Sequence, residues 1–330
     1  MARKRVTNTE DEGPKPITSY TVKLDEAQME ALEQICDERV YGFKDVPHSL
    51  FAFEAPLEYF NLTAYKSGKL VVQGKGTQAF VQNILEPRVL KEARLGYEEV
   101  HHPEWYEPHA GLDEAGKGDL FGPLVSCCVI ADGDMVREWR EKGVKDSKAL
   151  TDRSILALEK IILKTKGVVV KKMFAGMPKY NEMMSKPNAN LNTLLAWYHA
   201  KCLQKALEER MVPWGLVDQF SKQPLTQRQL KKDGVEFDLQ MRTKAEDDPV
   251  VAAASICARA EFVRQLDKLS VEFGEPLKKG ASAGVKKQAK ELVEKLGPHR
   301  LKDFAKVHFK TAYEVLGLPV PEKPRFYGRK

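Results

Sequence analysis

Apolar and polar positions alternate over residues 18–24, and again in LFAFE at 50–54, YFNLTAYK at 59–66 and KLVVQG at 69–74. A period of two marks a half-buried strand. The Ser67-Gly68 turn between the last two segments predicts a hairpin. Helical spacing occupies the ground between and after them. Asp25 caps DEAQMEALEQICDERV, in which Met29, Leu32, Ile35 and Cys36 fall on one face, and Thr77 opens a second helix, TQAFVQNILEPRVLKEA. These elements predict a small α+β unit over 17–94, preceded by a mobile tail at 1–16. Residues 95–108 have prolines, histidines and no period, and they read as a linker.

From residue 109 the pattern changes. A strand runs into GLDEAG, followed by the apolar strand LVSCCVIA. Helical patterns come at about 134–142 and 152–164, a strand at 168–174, a long helix at about 190–211, and strands at WGLVD and FDLQMRT. Asp248 then caps a helix with Pro249 in its first position. That helix, VVAAASICARAEFVRQLDKL, is alanine-rich early, which predicts close packing on a sheet. Helices at about 284–296 and 304–316 complete a second unit, 109–330. Strands that come early and helices that come late predict a mixed sheet covered by helices.

Composition narrows the function classes. The 330 residues suit two domains of roughly 150 residues each, and 42% apolar content supplies packed cores. No stretch approaches the roughly 20 apolar residues of a membrane span, and the N-terminus lacks the apolar core of a secretory signal. The five cysteines, Cys36, Cys127, Cys128, Cys202 and Cys257, are scattered with no C-x-x-C, so a cytoplasmic location is expected, without disulfides or a zinc site. Net charge is +6, but residues 278–330 hold 14 Lys/Arg against 5 Asp/Glu, while residues 1–100 hold 13 against 16. The basic stretch is either a solvated surface or a phosphate-binding face; charge alone does not choose.

GLDEAGKG at 111–118 has nearly the spacing of a triphosphate-binding loop, but Gly118 stands where such a loop needs Ser or Thr. Asp113 and Glu114 would repel the anion, and an apolar strand follows instead of a helix. The stretch reads as acids at a strand end beside a glycine-rich loop with one cation. Asp218 ends the strand WGLV, and Glu246 lies between a strand and a helix start. Side chains at the ends of strands in one sheet can converge. Four carboxylates together would be very costly without cations. Two Mg²⁺ ions, hard cations that prefer oxygen ligands, would balance them, and a metal pair about 3.5–4 Å apart serves in-line displacement at phosphorus. On spacing alone these acids are equally readable as unrelated surface or capping groups, because Asp247 and Asp248 are available too and Asp248 has the look of an N-cap.

GLDEAGKGDLFGPLV, DSKAL, NLNTLLAWYHAKCL, VDQF and TKAEDDPVVAAASICARA, in this order, resemble the type 2 ribonuclease H superfamily, and within it bacterial ribonuclease HIII. The resemblance spans about residues 109–316. It implies an RNase H-like α/β fold, with a mixed five-stranded sheet flanked by helices. The N-terminal unit, with YKSGKLVVQGKG, is similar to the TATA-binding-protein-like α+β domain that precedes the catalytic domain in that family. Matched by motif, Asp113, Glu114, Asp218 and Glu246 are the implied catalytic, metal-holding acids, with two Mg²⁺ or Mn²⁺ ions as cofactor. Glutamate at the fourth position favours ribonuclease HIII over ribonuclease HII. The implied reaction is endonucleolytic cleavage of the RNA strand of an RNA/DNA hybrid, leaving 5′-phosphate and 3′-hydroxyl ends.

Further residues follow from the same resemblance. The backbone at Gly116, Lys117 and Gly118 is expected to approach the ribose 2′-hydroxyl, by which a protein tells RNA from DNA. Lys117 either contacts a phosphate or is solvated. Lys145, Ser147 and Lys148 are expected phosphate contacts. Asn190 and Asn192 open a helix, Asn190 being readable as a cap, and His199 is expected to be a buried, hydrogen-bonded histidine. KKGASAGVKK has no counterpart to the tyrosine with which ribonuclease HII senses a ribonucleotide–DNA junction, so runs of ribonucleotides are the expected substrate. In the first unit, Tyr65, Lys66, Ser67, Lys69, Gln73 and Lys75 lie on or near one hairpin that could track a duplex. A monomer is expected. Two alternatives are carried: activity of the ribonuclease HII type at single ribonucleotides, and a non-catalytic nucleic-acid-binding protein.

Overall fold

The computed structural model of the chain describes residues 17–92, 98–144 and 150–320. The expected tail at 1–16 and the expected phosphate contacts Lys145, Ser147 and Lys148 lie outside the described residues. The chain divides between Glu104 and Trp105 into two compact units.

The first unit contains β1 (Ser19–Lys23), α1 (Glu26–Glu38), β2 (Gly42–Phe43), β3 (Ser49–Ala55), β4 (Phe60–Tyr65), β5 (Lys69–Gln73), α2 (Thr77–Phe80) and α3 (Glu98–His101). Its strands form one antiparallel sheet in the order β1-β5-β4-β3-β2. The predicted cap is present: Asp25 accepts a hydrogen bond from the Gln28 amide at 2.9 Å, and the Gln28 side chain accepts from the Asp25 amide at 3.1 Å. The helix expected from Thr77 begins as an α-turn and continues over Val81–Leu90 as a π-helix. Pro87 lies inside it; proline has no N–H to donate and its ring obstructs regular α winding. Strand alternation buries Leu62, Ala64, Leu70 and Val72 against α1 and the π-helix. The opposite sheet face shows Asn61, Thr63, Tyr65, Lys69 and Gln73.

The second unit contains β6 (His109–Ala115), β7 (Val125–Ala131), α4 (Gly133–Glu141), α5 (Asp152–Lys164), β8 (Val169–Phe174), α6 (Met177–Met184), α7 (Leu191–Glu209), β9 (Trp214–Asp218), α8 (Leu225–Lys232), β10 (Asp238–Arg242), α9 (Pro249–Phe273), α10 (Ala283–Leu296), α11 (Leu301–Phe304) and α12 (Lys310–Leu316). The sheet order is β10-β9-β6-β7-β8. β10, β9 and β6 are parallel; β7 is antiparallel to both β6 and β8. The alanine-rich helix α9 lies along β6 and β7, and α7 covers β7 and β8. Ala252, Ala253 and Ala254 are buried. The approach is so close that a Cβ on Gly111 would lie 2.5 Å from the Val250 carbonyl carbon and the Val251 nitrogen.

Two elements, α6 and α8, are short and were not expected from periodicity. The helix expected over 304–316 is broken between α11 and α12. The break has a tertiary cause: Ala305 pairs with Phe121, and the Lys306 amide donates to the Leu120 carbonyl at 2.8 Å. The Lys306 side chain is fully buried; its Nζ donates to the carbonyls of Asp119, at 2.8 Å, and Gly122. Asn181 braces the same break by donating to the carbonyls of Lys302 and Ala305 at 2.7 and 2.9 Å.

Burial lowers the Lys306 ammonium from 10.5 to about 7, with Asp119 pulling the other way. Between those values the unfolded chain carries a proton that the folded chain does not, so this group makes stability rise with pH across that window. Wild-type protein should gain roughly 2 kcal/mol from this group between pH 7.5 and 9.5 in urea unfolding, and Lys306→Met should lack the gain. The difference between the two curves isolates the one side chain; parallel curves would refute it.

Candidate active site

β6 and β9 run side by side with Leu112 opposite Val217, so Asp113 and Asp218 leave the same end of the sheet on neighbouring strands. β10 continues the parallel set with Arg242 beside Asp218. The 3₁₀ turn Ala245–Asp247 then brings Glu246 back, and Asp218 Oδ1 accepts a hydrogen bond from the Ala245 amide at 3.3 Å. Asp113, Glu114, Asp218 and Glu246 all line one cleft of about 400 Å³. The two neighbouring acids are accounted for differently. Asp247 is exposed. Asp248 is buried and caps α9, accepting from the Val250 and Val251 amides at 2.8 and 3.1 Å. His109, stacked on Trp214 at 4.4 Å, places its Nε2 3.2 Å from the same Asp248 oxygen.

Asp113, Glu114 and Asp218 each have a protein partner that holds the carboxylate in place. Asp113 accepts from the Glu114 amide at 2.8 Å and from Ser255. Burial, then the charge of Glu114, pushes the Asp113 carboxyl up to about 7. Burial pushes Glu114 upward too, but His199 and Lys117 outweigh it and leave that carboxyl below its ordinary value. His199 is fully buried on α7, with Nε2 3.2 Å from Glu114 and Nδ1 2.8 Å from the Ser126 hydroxyl. The tautomer protonated on Nε2 donates to Glu114 while accepting from Ser126. The expected buried histidine is therefore also the group that orients Glu114. His199→Leu, which keeps most of the volume and removes both contacts, should lower kcat/KM about 10- to 100-fold. Unchanged turnover in a folded variant would remove the orienting role.

Among the described residues, no group of three or more Asp, Glu, His or Cys side chains is gathered as a metal cage. Like charges without a counter-ion repel, and Asp113, Glu114 and Asp218 are held by His199, Lys117, Ser255 and backbone amides. The donor set still fits hard divalent cations: four carboxylates face one cleft, and such ions complete their shells with water and phosphate oxygens.

The glycine-rich loop divides its roles by residue. Gly116 has φ +82°, and a Cβ there would meet the Pro123 carbonyl at 2.2 Å, so glycine is a packing requirement. A Cβ on Gly118 would meet nothing within 4 Å, so that side of its backbone is open. Lys117 is partly exposed and turns back toward the acids: its Nζ is 3.1 Å from Glu114 and 5.2 Å from the centre of the Phe220 ring. Of the other expected residues, Asn190 caps α7 through the Asn192 and Thr193 amides. Tyr65, Lys69 and Gln73 share the face of the first unit's sheet opposite its core, and Lys66 and Ser67 lie in the turn. Lys66 borders a shallow recess beside Asp25 and Glu26.

Four further polar residues line the cleft without having been expected: Asp119, Ser255, Arg259 and Lys279. Ser255, Arg259 and Phe262 follow i, i+4, i+7 spacing on α9, so two polar residues interrupt an otherwise apolar stripe. That signal was legible. Asp119 and Lys279 had no such pattern; Asp119 Oδ1 accepts from the Gly280 amide at 2.6 Å across 161 residues.

Among the described residues no helix is long and apolar enough to cross a membrane. The family model for ribonuclease HII matches residues 110–312. Ribonuclease HIII of Protochlamydia amoebophila is 37% identical over 92% of this chain and 97% of its own length. Ribonuclease HIII of Chlamydia abortus is 37% identical over 90% and 97%. The crystal structure of Bst-RNase HIII in complex with Mn2+ superposes with a TM-score of 0.61 and 27% identity, covering 91% of this chain and 98% of that one. With acids, glycine loop and sheet order in place, the chain belongs to the ribonuclease HIII family of the type 2 ribonuclease H superfamily, and it is an enzyme of the ribonuclease H kind.

Proposed function

We propose that the chain hydrolyses the RNA strand of RNA/DNA hybrids endonucleolytically, leaving 5′-phosphate and 3′-hydroxyl ends, with two Mg²⁺ or Mn²⁺ ions held by Asp113, Glu114, Asp218 and Glu246. The observation that carries this reading is the convergence of the four carboxylates on one cleft that Gly116 of the glycine-rich loop also lines. The Mn2+ complex of the relative Bst-RNase HIII supports the choice of cation. Bound divalent ions would supply Lewis acidity at the phosphodiester and a more acidic water. The chain's own residues do the rest. Asp113 and Asp218 offer carboxylates from adjacent strands, His199 and Lys117 fix the direction of Glu114, and the open backbone at Gly118 leaves room for a ribose edge.

The segment in which ribonuclease HII carries its junction-sensing tyrosine runs beside this cleft and brings Lys279 and Gly280, with no aromatic ring. This favours runs of ribonucleotides over a single embedded one. The sheet face of the first unit opposite its core, with Tyr65, Lys69 and Gln73, suits phosphate and sugar contacts that track a duplex without reading sequence. Lys69→Ala should raise KM several-fold with kcat unchanged; a fall in kcat alone would count against that role. The deciding assay compares hybrid, duplex DNA, duplex RNA and a single-ribonucleotide duplex, with Mg²⁺, with Mn²⁺ and in excess chelator. Cleavage confined to the hybrid and abolished by chelator is expected. Turnover in chelator, or equal cleavage of duplex DNA, would overturn the reading.

A further inference from the structure

The cleft that gathers four acids also has a cationic wall. Arg259 reaches it from α9, one turn beyond Ser255, and Lys279 from the loop before α10. Both turn toward one carboxylate, Asp152, in the first turn of α5. Lys279 Nζ touches both of its oxygens, and Arg259 Nη2 stands 3.8 Å from Oδ1 while donating to the Leu150 carbonyl at 3.2 Å. Three elements far apart in sequence thus assemble two cations around one anion. The three side chains are 26%, 35% and 43% exposed for Arg259, Lys279 and Asp152, so solvent screens the pairing and it adds little to folding.

We propose that Arg259 and Lys279 are a phosphate subsite, and that Asp152 occupies it until a phosphodiester of the polynucleotide takes its place. This rests on the hydrolase reading above and names a substrate contact within it. A polyanion approaching four carboxylates is repelled unless part of the rim is cationic. A phosphodiester presents one negative charge and two unesterified oxygens, the same charge and oxygen pair that Asp152 presents to Lys279. A guanidinium adds a planar fork that suits phosphate. The carboxylate keeps the two cations assembled in the free protein, and its release costs little because the pair is solvated. The basic bias of residues 278–330 acquires a specific member here, since Lys279 is its second residue.

The test is a double-mutant cycle on the full chain, reading anisotropy of a fluorescent RNA/DNA hybrid in Ca²⁺ over a range of KCl. Lys279→Met should weaken binding roughly 10-fold and flatten the log–log salt slope by about 0.9. Asp152→Asn, at an exposed helix start, should do the opposite and tighten binding several-fold. In the double variant the Asp152→Asn gain should largely vanish. A purely structural tie between α5 and the loop would not make Asp152→Asn bind more tightly. Unchanged affinity and slope in Lys279→Met, or an Asp152→Asn gain that persists without Lys279, would overturn the subsite. Wild-type cleavage of the same hybrid in Mg²⁺ or Mn²⁺, run in parallel, separates the two claims: cleavage with an unaltered Lys279→Met sinks the subsite alone, and absent cleavage sinks the hydrolase reading.

Discussion

Asp113→Asn should lower hybrid cleavage by about 10³-fold or more while leaving hybrid binding intact. The exchange removes one charge and almost no volume. Asparagine Oδ1 can still accept from the Glu114 amide, as Asp113 does at 2.8 Å, so the end of β6 keeps its shape. What is lost is an anionic oxygen at the centre of the acid set. The same change relieves repulsion in the metal-free protein. Because burial and Glu114 raise the Asp113 carboxyl to about 7 from 3.8, the folded chain holds a proton that the unfolded chain has lost, and stability falls as pH rises between those values. At pH 8 without divalent ions, the asparagine variant should therefore melt no lower than wild type, and the difference should grow from pH 4 to 7. Activity lost together with stability would point to misfolding and would undercut the assignment. A non-catalytic nucleic-acid-binding protein predicts no loss of cleavage, because it predicts none to lose.

Gly111→Ala is expected to be the most damaging change of a single carbon. The new Cβ would lie 2.5 Å from backbone atoms of Val250 and Val251 and 2.7 Å from the Val250 carbonyl oxygen. No rotamer relieves a clash with backbone, so β6 and α9 must separate. Overpacking of this kind costs about 3 kcal/mol. The functional loss should be larger than the stability loss suggests. β6 carries Asp113 and Glu114, whereas α9 carries Ser255 and Arg259 and begins just after Glu246. Moving one element off the other pulls the acid set apart. Urea unfolding should give a lowered midpoint with an unchanged slope, and kcat in the residual folded protein should fall at least tenfold. A variant with wild-type midpoint and turnover would show that the close approach of strand and helix is not what this glycine serves.

Much of this was local and therefore legible. The alternating segments became β1, β3, β4 and β5 at nearly the expected positions, and WGLVD became β9. Asp25, Asn190 and Asp248 cap the helices that the sequence expects them to open, because a cap needs only amides two or three residues away. Short α6 and α8 offered too few turns for a period to stand out. The break at Ala305–Phe309 was invisible in the chain, since the partners that cause it, Asp119, Leu120 and Phe121, are more than 180 residues distant.

The sequence by itself determined the two-part organisation into elements, the acids at strand ends and, through ordered motifs, the family. Only the tertiary structure decided that Lys117 pairs with Glu114, that His199 orients the same acid, and that Lys279 joins Arg259 at the rim. The physical reason is range. Hydrophobic period, capping and turn chemistry act over a few residues, whereas the site is made by parallel pairing of β6 with β9 and of β9 with β10, and pairing register is set by the whole packed core.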